Sequence, residues 1–321
     1  MNIPDLRQLA RETRSMREAG IALLLACGIL ALFLFIPPTS SRSQTSNASS
    51  GSLTSLTASP APNAFAYVPL EAKAAVVYDL FTGKILYAKN ADAQLPLASL
   101  TKLLTVYAAL SVLSPGTPIT IPESAEEVEG IRTFSAGQTF SLSDLARLTL
   151  TGSLNDGAAA LASATSERES RSESEMLASA AAALGLSQTY AVNGSGLDVN
   201  KIISGGYGSA LDVARLAGAI VELAPDIAEA TTQSVVQAIS AGGTLFSVGN
   251  TDPIIGSIQR LLLSKTGYTD LAGGNLALVF DAGIGHHIAV VVLGSSFKER
   301  FTDGAALVYA TLAHFAGIAS I

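Results

Sequence analysis

The apolar runs that read as β-strands are divided between the two ends of this chain. Two come early, Ala74 to Asp79 and Lys84 to Ala88, and three come late, Leu261 to Ser264, Asn275 to Phe280 and His287 to Leu293. A Gly-containing turn at Ala282 to Gly285 makes a hairpin of the last two. Residues 99–240 read as helical segments, and one more helix is expected over Gly304 to Phe315. A two-stranded ribbon is at best marginal by itself. Strands at both ends with helices between them therefore imply one antiparallel sheet built from both chain ends, with a helical lobe beside it. The expected class is α/β, in the α+β sense, with the active site where sheet and lobe meet.

Three short polar strings are spaced so that such a fold would bring them together: Ser99-Leu-Thr-Lys102, Ser153-Leu-Asn155 and Lys265-Thr-Gly267. Leu100, Leu103, Leu104, Val106 and Leu110 recur at near-helical spacing after Pro96. Ser99 should then lie in the first turn of a helix, at its positive end, with Lys102 on the same face. A serine hydroxyl is a poor nucleophile until a base takes its proton. Lys102 can be that base if burial and a neighbouring cation, for which Lys265 is the candidate, pull its pKa below the usual value of about 10.4. Ser153-Leu-Asn155 reads as a tight link between two helices, with Asn155 or Asp156 capping the second. There Ser153 can relay a proton toward a leaving amine and the Asn155 amide can hold a backbone carbonyl. Asp156 is expected only to cap.

Lys265-Thr-Gly267 closes the strand-like run from Arg260. Lys265 and Thr266 suit a substrate carboxylate, and Gly267 lets a peptide backbone come close. The N–H of Tyr268, with that of Ser99, is the natural pair for an oxyanion hole. Taken singly, each string has a plainer explanation: a surface lysine, a helix cap, a solvated strand end. A second Ser-x-x-Lys, Ser295 to Lys298, has no partner strings at all. The ordered set of three is what points to a serine acylated by a peptide or a β-lactam.

On these strings the chain resembles the D-alanyl-D-alanine carboxypeptidases, the low-molecular-mass penicillin-binding family of serine peptidases. The resemblance extends to Tyr78–Tyr87, Leu95–Lys102, Val192–Asp198, Tyr207–Asp212, Lys265–Gly274 and Phe297–Arg300, and covers about residues 66–321. It implies the penicillin-binding/β-lactamase-like transpeptidase fold, with Ser99 as nucleophile, Lys102 as general base and Ser153 with Asn155 as the second catalytic element. Lys265 and Thr266 would bind substrate, and Arg300 matches the arginine that helps hold the terminal carboxylate of D-Ala-D-Ala, a planar group that suits a guanidinium fork. Leu154 stands where the family commonly has Gly, and is expected to narrow the cleft. Tyr268 stands where His is frequent, Ser166–Glu175 is unusually charged, and the family's C-terminal β-rich domain is not seen after the last helix.

A net charge of −7 and a pI near 5.0 argue against nucleic acid as a partner. The three histidines, two of them adjacent and one alone, do not supply a zinc ligand set, and the chemistry calls for no cofactor. Ala19 to Ile36 carries no charge and as a helix spans about 27 Å, enough for a bilayer core. Arg7, Arg11, Arg14 and Arg17 precede it and only Arg42 follows closely, so the N-terminus is expected in the cytoplasm and the rest outside. The expected organisation is a cytoplasmic segment 1–18, a membrane anchor 19–36, a Ser/Thr-rich linker 37–65 and a catalytic domain 66–321. A cleaved signal peptide and a lipoprotein box ending at Cys27, the sole cysteine, are the alternatives.

The expected activity is removal of the terminal D-alanine from peptidoglycan stem peptides ending in D-Ala-D-Ala, with β-lactams as covalent inhibitors. An endopeptidase cutting D,D cross-links would use the same parts. A membrane-tethered β-lactam sensor shares the acylation motif but has little room for a signalling domain before residue 19. A β-lactamase should also carry Glu-x-x-Leu-Asn between Asn155 and Lys265, and none is present.

Overall fold

A computed structural model of the chain describes residues 63–283 and 285–317. The expected anchor and most of the linker lie outside the described residues. Among the described residues no helix is long and apolar enough to cross a membrane.

All five expected strands form one antiparallel sheet. They are β1 (Ala74–Asp79), β2 (Lys84–Lys89), β3 (Leu261–Thr269), β4 (Gly273–Asp281) and β5 (His287–Ser295), in the order β3-β4-β5-β1-β2. The seam between the chain ends is the pairing of β1 with β5, which runs from Ala74 opposite Leu293 to Asp79 opposite Ile288. β1, β4 and β5 read as largely apolar runs because both faces are covered, whereas the edge strand β2 has no fully buried residue. Val76, Leu263, Ala277, Val279 and Val291 join the core of the helical lobe, while Val77, Leu276, Leu278, Phe280 and Val290 pack with Leu307 and Val308 of the last helix.

The lobe is built on α1 (Thr101–Val112), α2 (Leu142–Gly152), α3 (Asn155–Glu169), α4 (Glu173–Ala183) and α5 (Ala210–Leu223); α6 (Glu299–Phe315) closes the chain. α1 is buried on nearly every side through its first nine residues, as expected of a helix apolar all round. Three expectations change. The middle is not wholly helical, because Val235–Ile239 and Leu245–Gly249 pair as a hairpin. β3 runs on to Thr269, so Lys265, Thr266 and Gly267 lie inside a strand and not at its end. α6 begins at Glu299, which places Arg300 in its first turn.

Candidate active site

Ser99 lies where the short strand Leu95–Pro96 turns toward α1. Ala98 takes a left-handed φ of 48°, and Ala98–Leu100 form a 3-10 turn before the α-helix starts. The nucleophile thus precedes the helix and is not part of its first turn. In a 3-10 turn residues i and i+3 eclipse, and Lys102 Nζ stands 2.8 Å from Ser99 Oγ. The turn is pinned from the sheet side. Asn275, fully buried on β4, donates its Nδ2 to the Pro96 carbonyl at 3.0 Å, and the Gly294 N–H donates to Asn275 Oδ1 at 2.8 Å. β3 is one edge strand of the sheet and passes against this turn. A Cβ on Gly267 would lie 2.9 Å from the Leu97 carbonyl oxygen and 3.3 Å from the Ser99 nitrogen.

Lys102 is fully buried, and burial pulls its pKa to about 7 against the opposing pull of the Asp156 carboxylate. The cause is therefore chiefly desolvation, where the sequence had also suggested a cation. The repulsion between the two lysines is felt at Lys265, whose pKa falls well below its usual value through burial first, then the charges of Lys102 and Arg300. Lys102 Nζ also donates to Asn155 Oδ1 at 2.8 Å and to the Ser195 carbonyl at 2.7 Å. Both of these oxygens can only accept. A neutral amine spends its two N–H groups on them and has its lone pair left for the Ser99 hydroxyl.

α2 ends at Gly152, Ser153 takes a left-handed φ of 56°, and α3 opens at Asn155. The expected tight link is present, but the N-cap is Leu154, with no side-chain cap. Asp156 does more than cap. It is buried, and its Oδ2 accepts the N–H groups of Thr133 at 2.6 Å and Phe134 at 2.8 Å. That holds the segment before Phe134 over Asn155, whose Nδ2 donates to the Glu129 carbonyl at 2.9 Å. One amide hydrogen of Asn155 is thereby used inside the protein and one is left for a substrate carbonyl. Leu154 is partly buried against the main core and leans on Gly152.

Across the cleft, Lys265 is buried and donates to Ser153 Oγ at 2.8 Å and to the Thr266 carbonyl at 2.9 Å. Thr266 Oγ1 is 2.6 Å from the Thr251 hydroxyl. Tyr268 is exposed and meets Phe297 edge-on at 5.1 Å. Arg300 is buried between Phe297 and Phe301, with 4.6 Å from its guanidinium carbon to each ring, and donates to the Gly267 carbonyl at 2.8 Å. Burial lowers its pKa, opposed by the carboxylate of Asp252. Asp252, buried and bonded to Ser264 Oγ at 2.6 Å, is the counter-charge for both cations of this wall. Nothing local in the sequence marks Asp252 or Asn275 for this wall, and Ser195 is marked only as part of the segment Val192–Asp198, with no role. The lone motif at Ser295 is structural: Ser295 Oγ donates to Asp303 at 2.8 Å and Lys298 is exposed. Among the described residues no group of His, Cys, Asp or Glu is gathered so as to hold a metal ion.

A profile of the D-alanyl-D-alanine carboxypeptidase family, peptidase S11, matches residues 58–296. The chain belongs to this family. Family membership makes it a serine peptidase. The chain is 31% identical over 233 residues to a D-alanyl-D-alanine endopeptidase of Pseudomonas aeruginosa, covering 70% of this chain and 73% of that protein. It is 30% identical over 236 residues to the D-alanyl-D-alanine carboxypeptidase DacF of Bacillus subtilis, covering 72% of this chain and 59% of that one. Penicillin-binding protein D2 of Listeria monocytogenes in its ampicillin-bound form shares the fold, with a TM-score of 0.61 and 27% identity over 76% of this chain and 98% of that chain.

Proposed function

We propose that this family member releases the terminal D-alanine from peptidoglycan stem peptides ending in D-Ala-D-Ala. One observation carries the reading: a buried lysine with a pKa of about 7, its two N–H groups engaged by carbonyls, lies 2.8 Å from a serine hydroxyl. Ser99 Oγ attacks the carbonyl of the penultimate residue while Lys102 takes its proton. The oxyanion forms between the N–H groups of Ser99 and Tyr268. The proton taken by Lys102 is passed on through the Ser153–Lys265 pair to the departing D-alanine amine, and water then hydrolyses the ester and restores the Ser99 hydroxyl. A stem peptide lying along the free edge of β3 would meet Thr266 and the Asn155 amide, with its terminal carboxylate toward Arg300. A β-lactam would enter the same path and stop at the acyl-enzyme. Incubating the full chain with a D-Ala-D-Ala pentapeptide, and reading products by mass, is expected to show many D-alanines released per protein. Release of at most one equivalent would favour a sensor instead.

A second reading, cleavage of D,D cross-links, is favoured by the likeness to a relative named an endopeptidase. Cross-linked muropeptide in the same assay separates the two. The proposal extends to place: the arginine asymmetry around residues 19–36 supports a single-pass anchor in the bacterial cytoplasmic membrane with the catalytic domain outside. A reporter fused after Ile321 is expected to be active only outside that membrane, on a protein that keeps its N-terminus. A soluble form starting near Ser49 would replace the anchor with signal cleavage.

A further inference from the structure

Of the three oxygens around Lys102 Nζ, one lies outside the three catalytic strings. The Ser195 carbonyl comes from the loop Asn193–Leu197, and its aim depends on how that loop is held. Within the loop, Asn193 Oδ1 accepts from Ser195 Oγ at 2.9 Å and from the Gly196 N–H at 2.8 Å, and Asn193 Nδ2 donates to the Leu197 carbonyl at 3.0 Å. These bonds fix its shape, not its position. The Val192 and Asn193 N–H groups anchor the start of the loop on the Gly205 carbonyl, at 2.7 and 3.2 Å, and Gly194 ties the part that carries Ser195 to the helices. The Gly194 N–H donates to Glu173 Oε1 at 2.5 Å, and its carbonyl accepts from Thr105 Oγ1, one turn beyond Lys102 on α1, at 2.8 Å. A Cβ at Gly194 would lie 2.9 Å from Glu173 Oε1 and 3.0 Å from Thr105 Oγ1, so backbone and tethers are in full contact.

Glu173 is not needed where it stands for the helix it begins. The start of α4 is capped reciprocally by Ser172 and Glu175, Ser172 Oγ taking the Glu175 N–H and Glu175 Oε2 taking the Ser172 N–H at 3.0 Å. Burial pushes the Glu173 pKa up, and the bond from Gly194 only opposes that. A carboxylate kept partly desolvated at the first position of an already capped helix has another use.

We propose that Glu173 is a positioning residue for the catalytic base: by holding the Gly194 N–H it aims the Ser195 carbonyl at Lys102. The inference rests on the reading of Ser99 and Lys102 as nucleophile and base. With the Ser195 oxygen fixed, the neutral amine has two acceptors and one orientation, and its lone pair faces Ser99. With that oxygen free to move, the amine can turn, and the proton transfer loses its geometry while the substrate-binding wall on β3 is untouched.

The test measures acylation of the full chain by a fluorescent penicillin across a concentration series, which separates non-covalent affinity from the first-order acylation step. Glu173→Ala is expected to slow the first-order step about tenfold with affinity held within about twofold. Glu173→Gln keeps an oxygen acceptor for the Gly194 N–H and should recover to within about threefold of the original rate. A Glu173→Ala protein that acylates at the original rate overturns the proposal. So does an equal loss in both Glu173 variants accompanied by weakened affinity, which would mark a residue needed only for folding. Should Glu173→Ala fail to fold, Thr105→Val removes the other tether of the same glycine and should slow acylation at constant affinity; an original rate there also overturns it. If the unmodified chain is not labelled, or a Ser99→Ala chain still is, the reading of the site fails and this proposal goes with it.

Discussion

Two lysines, both buried and both with depressed pKa values, face each other across the cleft, and they are held in different ways. Lys102, on the helical wall, has two acceptor-only carbonyls and one hydroxyl around its nitrogen. Lys265, on the strand wall, has the Ser153 hydroxyl and the carbonyl of its own neighbour, Thr266. The first arrangement leaves a neutral amine one place to take a proton from. The second couples the amine to a hydroxyl that can both give and receive, with Asp252 and Arg300 adding charge of opposite signs nearby. In the proposed mechanism the same side chain is thus a base in one wall and a relay and anchor in the other, and the neighbours decide which.

The largest test of this contrast is Ser99→Ala, which should abolish both penicillin labelling and D-alanine release; labelling at a mapped serine elsewhere would dissolve the helical wall's role. Lys102→Ala should slow acylation by at least about 10²-fold, in the range for loss of a general base. Lys265→Ala should weaken binding of carboxylate-bearing ligands more than Lys102→Ala does. If the two variants lose rate and affinity in the same proportion, the two walls are not distinct. Arg300→Ala is expected to cost about 2–4 kcal/mol in transition-state terms on D-Ala-D-Ala peptides. The loss should be smaller on an amidated terminus, measured as kcat/KM on both. Equal losses would reduce Arg300 to holding the Gly267 carbonyl.

The smallest effect is on stability. The pKa of Lys102 is about 7 in the folded protein and 10.5 ordinarily. Between those values the unfolded chain binds the extra proton, so this group's contribution to stability rises with pH from about 7 to 10.5 and is lost as pH falls through about 7. Lys102→Met should therefore be more stable than the original at pH 6, by about 1–4 kcal/mol, while being inactive. Thermal unfolding should show that gain shrinking toward pH 10. A gain that does not change with pH would mean Lys102 is not buried as a charge at low pH.

How much of this could be read from residues alone follows their chemistry. β1 was legible to the residue because its apolar run stops at a turn, whereas β3 was cut short at Lys265: a strand reading ends at a charge, and this charge is buried. The hairpin at Val235–Ile239 was hidden because two of its three outward residues, Val235 and Ile239, are apolar, and Gln237 alone gives too weak an alternation. The paired motifs announced Ser99, Lys102, Ser153, Asn155, Lys265 and Thr266, and the fold brings these together. Asp156 looked like a cap because a carboxylate at a helix start usually is one; its hold on Thr133 and Phe134 depends on a distant segment. Ser195 lies in a segment the resemblance marks, but it acts through its backbone carbonyl, a role that residue type does not show. Glu173 stood in a stretch notable only for its charge, where the one usable clue was that Ser172 and Glu175 already satisfy the helix start.

The sheet seam has a bearing on how the protein comes into being. β1 gains its neighbour β5 only when the last strand exists, and Asp303 on α6 then takes the N–H groups of Glu71 at 3.1 Å and Ala72 at 2.8 Å. Helices of the lobe can form from local contacts as they are made, but the edge that carries Lys265 waits for a pairing between opposite ends of the chain, the slow kind of closure. A ribosome-bound chain lacking β5 would hold Ser99 with no strand wall to face it. Completion of the cleft is thus expected to come late, after β5 has been made.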